Sequence, residues 1–202
     1  MGTWANLLND LSAFWTHATR GPEPLSLQEA LPRLVPKVRP RLRYEALGVG
    51  GGGPVFQPLA GTLAFSLVVD CPNGEQDVGA RELEAWGADF DVLLQRARTN
   101  LLRRGGEECF REVGRGLYRS TWEDNLDGSR VLLPGVLKRL PLRGDPVVVL
   151  PSRDTLLVAG SEDPGGLELL LGAAVAFLRE DSRFLNGCPL RLRNFQWEPW
   201  VA

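Results

Sequence analysis

The stretch from Asp145 to Asp181, DPVVVLPSRDTLLVAGSEDPGGLELLLGAAVAFLRED, constrains the fold more than any other part of the sequence. An apolar run, Val147 to Leu150, leads into the corner Pro151-Ser152-Arg153-Asp154, and a second run, Thr155 to Ala159, leads out of it. Short runs rich in β-branched residues and bounded by Pro, Ser and Asp predict two strands joined by a turn. A polar Gly/Pro loop follows, and then an apolar-rich segment, Gly166–Arg179, long enough for a helix. Strand, turn, strand, helix is a unit whose apolar surfaces the remaining chain has to cover. It specifies an architecture and names no reaction.

The other segments are read around that unit. Over residues 1–20, Trp4, Leu7, Leu8, Leu11, Phe14, Trp15 and Ala18 recur at helical spacing behind the capping candidate Thr3, and Gly21-Pro22-Glu23-Pro24 ends the pattern. This predicts an accessory amphipathic helix, docked either on its own core or on a partner; its polar face carries almost no basic charge, unlike a helix made for a membrane surface. Ser26 and Glu29 form a capping box at the start of a second helix, which Pro32 and Pro36 keep short. Arg41-Leu42-Arg43-Tyr44-Glu45-Ala46-Leu47 alternates and predicts a strand. Gly48 to Gly53 matches GxGxxG letter by letter, but Pro54 and Pro58 follow where a helix would have to start to offer its N–H groups to a pyrophosphate. It reads as a hairpin connection to a strand over Thr62–Asp70.

Val78–Arg104 is the longest helical pattern, with Leu83, Trp86, Phe90, Leu94, Ala97 and Leu101 in one stripe and Gly87 marking a break. Its acidic first half and arginine-rich second half complement the helix dipole, so these charges need no ligand to explain them. Cys109–Val113 and Leu117–Trp122 predict a hairpin, Arg130–Leu140 a short helix interrupted at Pro134-Gly135, and Arg191–Phe195 a last strand. Residues 196–202 remain as an aromatic tail containing Trp197 and Trp200. The fold expected is a single α+β domain over 25–195, with a mixed or largely antiparallel sheet covered by two long helices, Val78–Arg104 and Gly166–Arg179.

Composition limits the function classes. The 202 residues are 44% apolar and 24% charged, as in an ordinary globular domain. The net charge of −2 argues against a nucleic-acid binder, whose affinity rests on neutralising phosphates; an arginine face of Arg41, Arg43, Arg191 and Arg193 is the one candidate for such a role. Cys71, Cys109 and Cys188 are scattered and odd in number, which predicts reduced thiols in the cytoplasm. No run of ~18 apolar residues exists to span a bilayer, and the N-terminus lacks the pattern of a signal peptide.

Candidate chemistry is sparse. His17 is the only histidine, and it sits among aromatics, where packing explains it better than a nucleophilic triad. One histidine and three distant cysteines make a poor zinc site. Glu123-Asp124-Asn125-Leu126-Asp127-Gly128 begins like a calcium loop, but Pro134 stands where the bidentate Glu belongs. Glu107 and Glu108 are adjacent carboxylates without a general-acid partner. No catalytic residue, metal or cofactor is expected. Ser152, Arg153 and Asp154 form the one candidate polar site, either holding a ligand or closing a turn, with Asp154 accepting turn N–H groups.

Three stretches carry a resemblance to a known family: Leu83-Glu84-Ala85-Trp86-Gly87 with Ala97–Leu101, then Gly116-Leu117-Tyr118, then Val147–Val158. In order and spacing they resemble the YtpQ-type bacterial proteins, over about Ala80–Arg193, with the Pro-Ser-Arg-Asp corner between two strands as the most specific piece. The resemblance implies a bacterial cytosolic α/β protein and brings no catalytic residues. The function expected is therefore a non-catalytic protein-interaction module, adaptor or regulatory, binding another protein or a second copy through Trp4, Leu11, Phe14, Trp15, Trp197 and Trp200, since aromatics are favoured interface anchors. The alternative is an enzyme using carboxylates and arginines around the Pro151–Asp154 corner, with Glu123 and Asp127 converging on it.

Overall fold

The structure, a computed structural model, describes residues 25–48, 53–180 and 185–201. The helix expected over 1–20, with Trp4, Leu11, Phe14, Trp15 and His17, and most of the glycine run lie outside the described residues.

The chain is an α+β domain built on two antiparallel sheets where the sequence suggests one. Helix α1 (Leu27–Ala30) starts on the predicted capping box: the Ser26 side chain accepts from the Glu29 N–H, and the Glu29 carboxylate accepts from the Ser26 N–H at 3.0 Å. Strand β1 (Leu34–Pro40) follows at once, in a segment whose prolines argue against a sheet. The parity explains their tolerance. The Val38 N–H points away from the neighbouring strand and donates to Ser129 Oγ at 3.1 Å, so the missing N–H groups of Pro36 and Pro40, two residues to either side, fall on that same outer edge. Arg41–Leu47, expected as a strand, is helix α2. Its alternation arises because Tyr44 alone is buried while Leu42 and Leu47 stay in solvent, and one buried side chain in two turns leaves no helical stripe to read.

Strands β2 (Phe56–Ala60), β3 (Leu63–Cys71) and β4 (Gly74–Asp77) complete the first sheet, in the order β1-β3-β2 with β4 also on β3. The long helical pattern resolves into α3 (Ala80–Trp86) and α4 (Phe90–Leu102), separated where Gly87 takes φ +58°. Asp89 caps α4 through bonds from the Asp91 and Val92 N–H groups. Phe90, Leu93, Leu94, Ala97 and Leu101 bury its inner face. Asn100 fastens it to the chain entering β1 by donating to the Leu31 and Leu34 carbonyls, both at 2.8 Å.

The predicted hairpin forms as β5 (Phe110–Gly114) and β6 (Leu117–Ser120). A 3-10 turn (Gly128–Leu132) and the short helix α5 (Pro134–Leu137) precede β7 (Pro146–Ser152) and β8 (Thr155–Gly160). Helix α6 (Pro164–Glu180), β9 (Asn186–Arg193) and β10 (Gln196–Pro199) follow. The second sheet runs β10-β9-β7-β8-β6-β5. The expected aromatic tail is thus an edge strand, and Asn194-Phe195 is the two-residue turn that leads into it, where both residues take positive φ (50° and 63°).

The central strands β7 and β8 are buried along their whole length. Period two divides their side chains between two cores. Val148, Leu150, Leu156 and Val158 join the main core shared with the first sheet and α4. Val147, Val149, Leu157 and Ala159 lie beneath Leu170 and Ala174 of α6. The segment that best predicts the fold therefore does so because water reaches neither of its faces.

Candidate functional site: an arginine- and aromatic-lined groove between the sheets

The Pro151–Asp154 corner closes as a turn. Ser152 is buried, and its Oγ accepts from the Asp154 N–H at 3.3 Å, the reverse of the arrangement in which Asp154 would accept. Backbone clamps hold it from two sides: the Gly128 N–H donates to the Arg153 carbonyl at 3.1 Å, and the Leu185 N–H to the Pro151 carbonyl at 2.9 Å. A Cβ at Gly128 would stand 3.2 Å from the Ser152 carbonyl, so this approach is close enough to favour glycine. Of the carboxylates expected to converge here, Glu123 is exposed, Asp127 is fully buried and Asp154 is half-buried with Oδ1 unpartnered. The arginine face does not survive as a set of free charges, because Arg41 pairs with Glu45 and Arg191 with Asp145. Among the described residues no three His, Cys, Asp or Glu side chains come together as metal ligands, and no helix is long and apolar enough to cross a membrane.

Most buried charge in the molecule is matched. Lys37 and Arg39, two apart on β1, share a sheet face with Glu75 and Asp77, two apart on β4. The Lys37 ammonium donates to Glu75 at 2.5 Å and to the Asn125 carbonyl at 2.6 Å; Arg39 donates to Asp77 at 2.7 Å and to Glu75 at 2.9 Å. Burial lowers the Lys37 ammonium from its usual value, against the opposing pull of Glu75, with Arg153 and Arg39 pushing the same way as burial. The Tyr44 hydroxyl closes this face by donating to the Lys37 carbonyl at 2.6 Å, and burial raises it to about 12. Beside it, Arg130 is fully buried, forks onto both Asp124 oxygens at 2.8 Å and lies 3.9 Å from the Trp122 ring centroid. Burial works to raise the Asp124 carboxyl, but the bond and charge of Arg130, with the Leu126 N–H, outweigh it and hold the group below its usual value.

Half-buried Arg98 makes no ion pair among the described residues. A hollow of about 350 Å³ opens where the edges of the two sheets meet. The first sheet supplies Leu59 and Phe65, helix α4 supplies Arg98, the 3-10 turn and α5 supply Val131, Leu132 and Pro134, and the β9–β10 hairpin supplies Phe195, Gln196 and Trp197. A second hollow of about 220 Å³ shares Arg98, Leu132 and Pro134 and is lined also by Leu102 and Val136. Arg98 Nε is buried without a hydrogen-bond partner, and among the described residues Arg98 makes no ion pair. Burial lowers its guanidinium from the usual value, while the charge of Asp91 works the other way.

The opposite wall is strained. Phe195 holds φ +63° at the second position of a tight hairpin turn, a place that favours glycine. Its ring is 66% exposed, lines the groove and carries the Lys138 ammonium 3.6 Å from its centroid. A bulky side chain in the left-handed region costs about 1–2 kcal/mol. Trp197, next along the wall, is half-buried and donates to the Val131 carbonyl at 3.1 Å, and Trp200 packs under α6. The two C-terminal tryptophans expected as partner anchors are thus largely committed to the protein's own fold. Sequence reasoning misses Arg98 and Phe195. Along the chain Arg98 is one more charge on a balanced helix. Phe195 ends a strand-like run, although Asn-Phe where Asn-Gly would suit a two-residue turn is a readable signal. Compared with family models, curated proteins and solved structures, the chain gives no match.

Proposed function

We propose that the protein is a non-catalytic interaction module of a bacterial cytosolic system, an adaptor or regulator, whose partner, another protein or a second copy, lays a segment into the inter-sheet groove. The observation that carries this reading is Phe195: an exposed aromatic kept in a conformation that the fold alone would give to glycine. Strain of this kind clusters at functional sites. The groove has the mixed aromatic, aliphatic and arginine lining from which interface hot spots are made. The likeness of Val147–Val158 and its companions to the YtpQ-type proteins belongs to the same reading and adds no activity to it. The test is affinity capture from native lysate with the wild-type chain and with Phe195→Gly. A partner recovered by the first and lost with the second is the expected result; identical captures would remove the groove from the argument.

An enzyme built around the Pro151–Asp154 corner is the second reading, and one observation favours it. Asp127 is fully buried with neither oxygen hydrogen-bonded among the described residues, next to the Gly128–Arg153 clamp. A turnover found on a substrate panel and abolished in Asp127→Asn would establish it.

A further inference from the structure

We propose that the groove recognises a carboxylate: the partner segment is an acidic peptide that sets an Asp or Glu against Arg98 while an adjoining apolar side chain lies between Phe195 and Trp197. The inference rests on the interaction-module reading and adds the chemistry of what is bound.

Charge is the first ground. The cations that are buried among the described residues, Lys37, Arg39 and Arg130, each have a carboxylate within 3 Å. Arg98 lines a solvent-reaching groove and carries a buried, unsatisfied donor. A guanidinium partly drawn out of water with no ion pair, and only the charge of Asp91 acting on it from beyond contact, carries a cost that an incoming carboxylate relieves, and the charge-assisted bonds it forms are the strong ones. Lys138, over Phe195, also makes no ion pair among the described residues. Arg139, on the wall of the second hollow, is occupied by Glu107 at 3.0 Å.

Shape is the second ground. A single free guanidinium between aromatic and aliphatic walls suits one carboxylate with an apolar neighbour; phosphate recognition gathers arginines in clusters. The two hollows share Arg98, Leu132 and Pro134 in their linings, so the cation borders both. A peptide segment can lie against these open hollows, where Gln196 lines the wall and its amide can bond to a peptide backbone.

The experiment selects phage-displayed random peptides on the full chain and measures the enriched sequences by fluorescence anisotropy. The expected peptides carry Asp or Glu beside an aromatic or aliphatic residue. Arg98→Gln should weaken them at least tenfold, the peptide's own Glu→Gln change should do the same, and the two changes together should cost little more than either. Arg98→Lys, which keeps the charge, should recover part of the affinity, and a thermal melt checks that each variant folds. Peptides whose neutral versions bind equally well would overturn the carboxylate assignment and leave the groove standing. Peptides that bind Phe195→Gly as tightly as wild type, or a selection that enriches nothing, would overturn the groove as well.

Discussion

Lys37 and Arg98 are both cations drawn out of water, and the fold treats them differently. Around Lys37 the sequence supplies Glu75, Asp77, the Asn125 carbonyl and, close by, the Arg130–Asp124 fork. Around Arg98 it supplies Phe65, Leu132, Pro134, Phe195 and Trp197, with no carboxylate in ion-pair contact and only the charge of Asp91 acting on it. The first arrangement is closed: donors and acceptors meet inside the fold, and removing one member leaves a stranded charge. The second is open: the fold sustains an unmet donor and a strained aromatic whose one ring contact to a cation is Lys138. Buried charge that is satisfied reports on how the domain is held together; a half-buried donor left unmet beside a groove is open to a group from outside it.

The largest effect expected from that contrast is in stability. Arg130→Ala removes a fully buried side chain and strands Asp124, which should cost about 3–5 kcal/mol. In a chain of this size that is a fall in Tm of roughly 10 °C, visible by calorimetry or urea titration. Asp124 gives the pH signature. Its carboxyl lies below the ordinary value in the folded state, so its stabilisation is present above the ordinary carboxylate range and is lost as pH falls through the lowered value; this pH dependence should vanish in Arg130→Ala. Arg98→Ala should cost less than about 1 kcal/mol, since no internal partner is stranded. Equal costs for the two would break the comparison.

A second effect, of intermediate size, belongs to Tyr44 on the closed side. Its hydroxyl titrates near 10 when exposed and at about 12 in the fold, where burial raises it. The sign follows from proton counting: between those values the folded state keeps a proton that the unfolded state has released. Stability is therefore full below pH 10 and declines by about 2–3 kcal/mol as pH rises through about 12. Lys37 acts oppositely. Its ammonium is lowered, so the penalty for burying it is relieved as pH climbs toward 10.5. Comparing the alkaline denaturation profiles of wild type and Tyr44→Phe isolates the tyrosine, and parallel profiles would show that its hydroxyl is not closed off from solvent.

How much of this can be read from the sequence depends on whether neighbours along the chain are neighbours in space. The β7–β8–α6 unit is legible because its two strands are apolar on both faces and its helix packs back on the same hairpin. The capping box at Ser26 and the break at Gly87 are legible because each is settled within four residues. Strand β1 is hidden by prolines whose harmlessness depends on which edge they face, and α2 by a pattern too short to have a period. The division into two sheets is not visible either, since nothing local says which strands pair. The groove is least legible of all. Residues 59, 65, 98, 131–134 and 195–197 meet only after the domain folds. Arg98 in particular looks no different along the chain from Arg96 or Arg103; what distinguishes it is that it is half-buried against the groove with Nε left without a partner.

The smallest effect is the most discriminating, because it reverses sign between fold and function. Phe195→Gly replaces a strained residue by the one suited to the second position of a tight hairpin turn after Asn194. If the turn serves only to connect β9 and β10, the variant should be more stable and otherwise unchanged. Deleting the ring also deletes its surface cation–π pair with Lys138, worth about 0.5–1 kcal/mol. That is less than the strain relieved, which leaves a net gain of up to about 1 kcal/mol. A chain that folds better with glycine and yet carries phenylalanine has given up stability for something outside the fold, as binding surfaces commonly do. The melting curve of Phe195→Gly reads one half of that statement and its capture of a partner reads the other. A variant that loses both stability and partner would show instead that Phe195 is a packing residue, and the open side of the comparison would then rest on Arg98 alone.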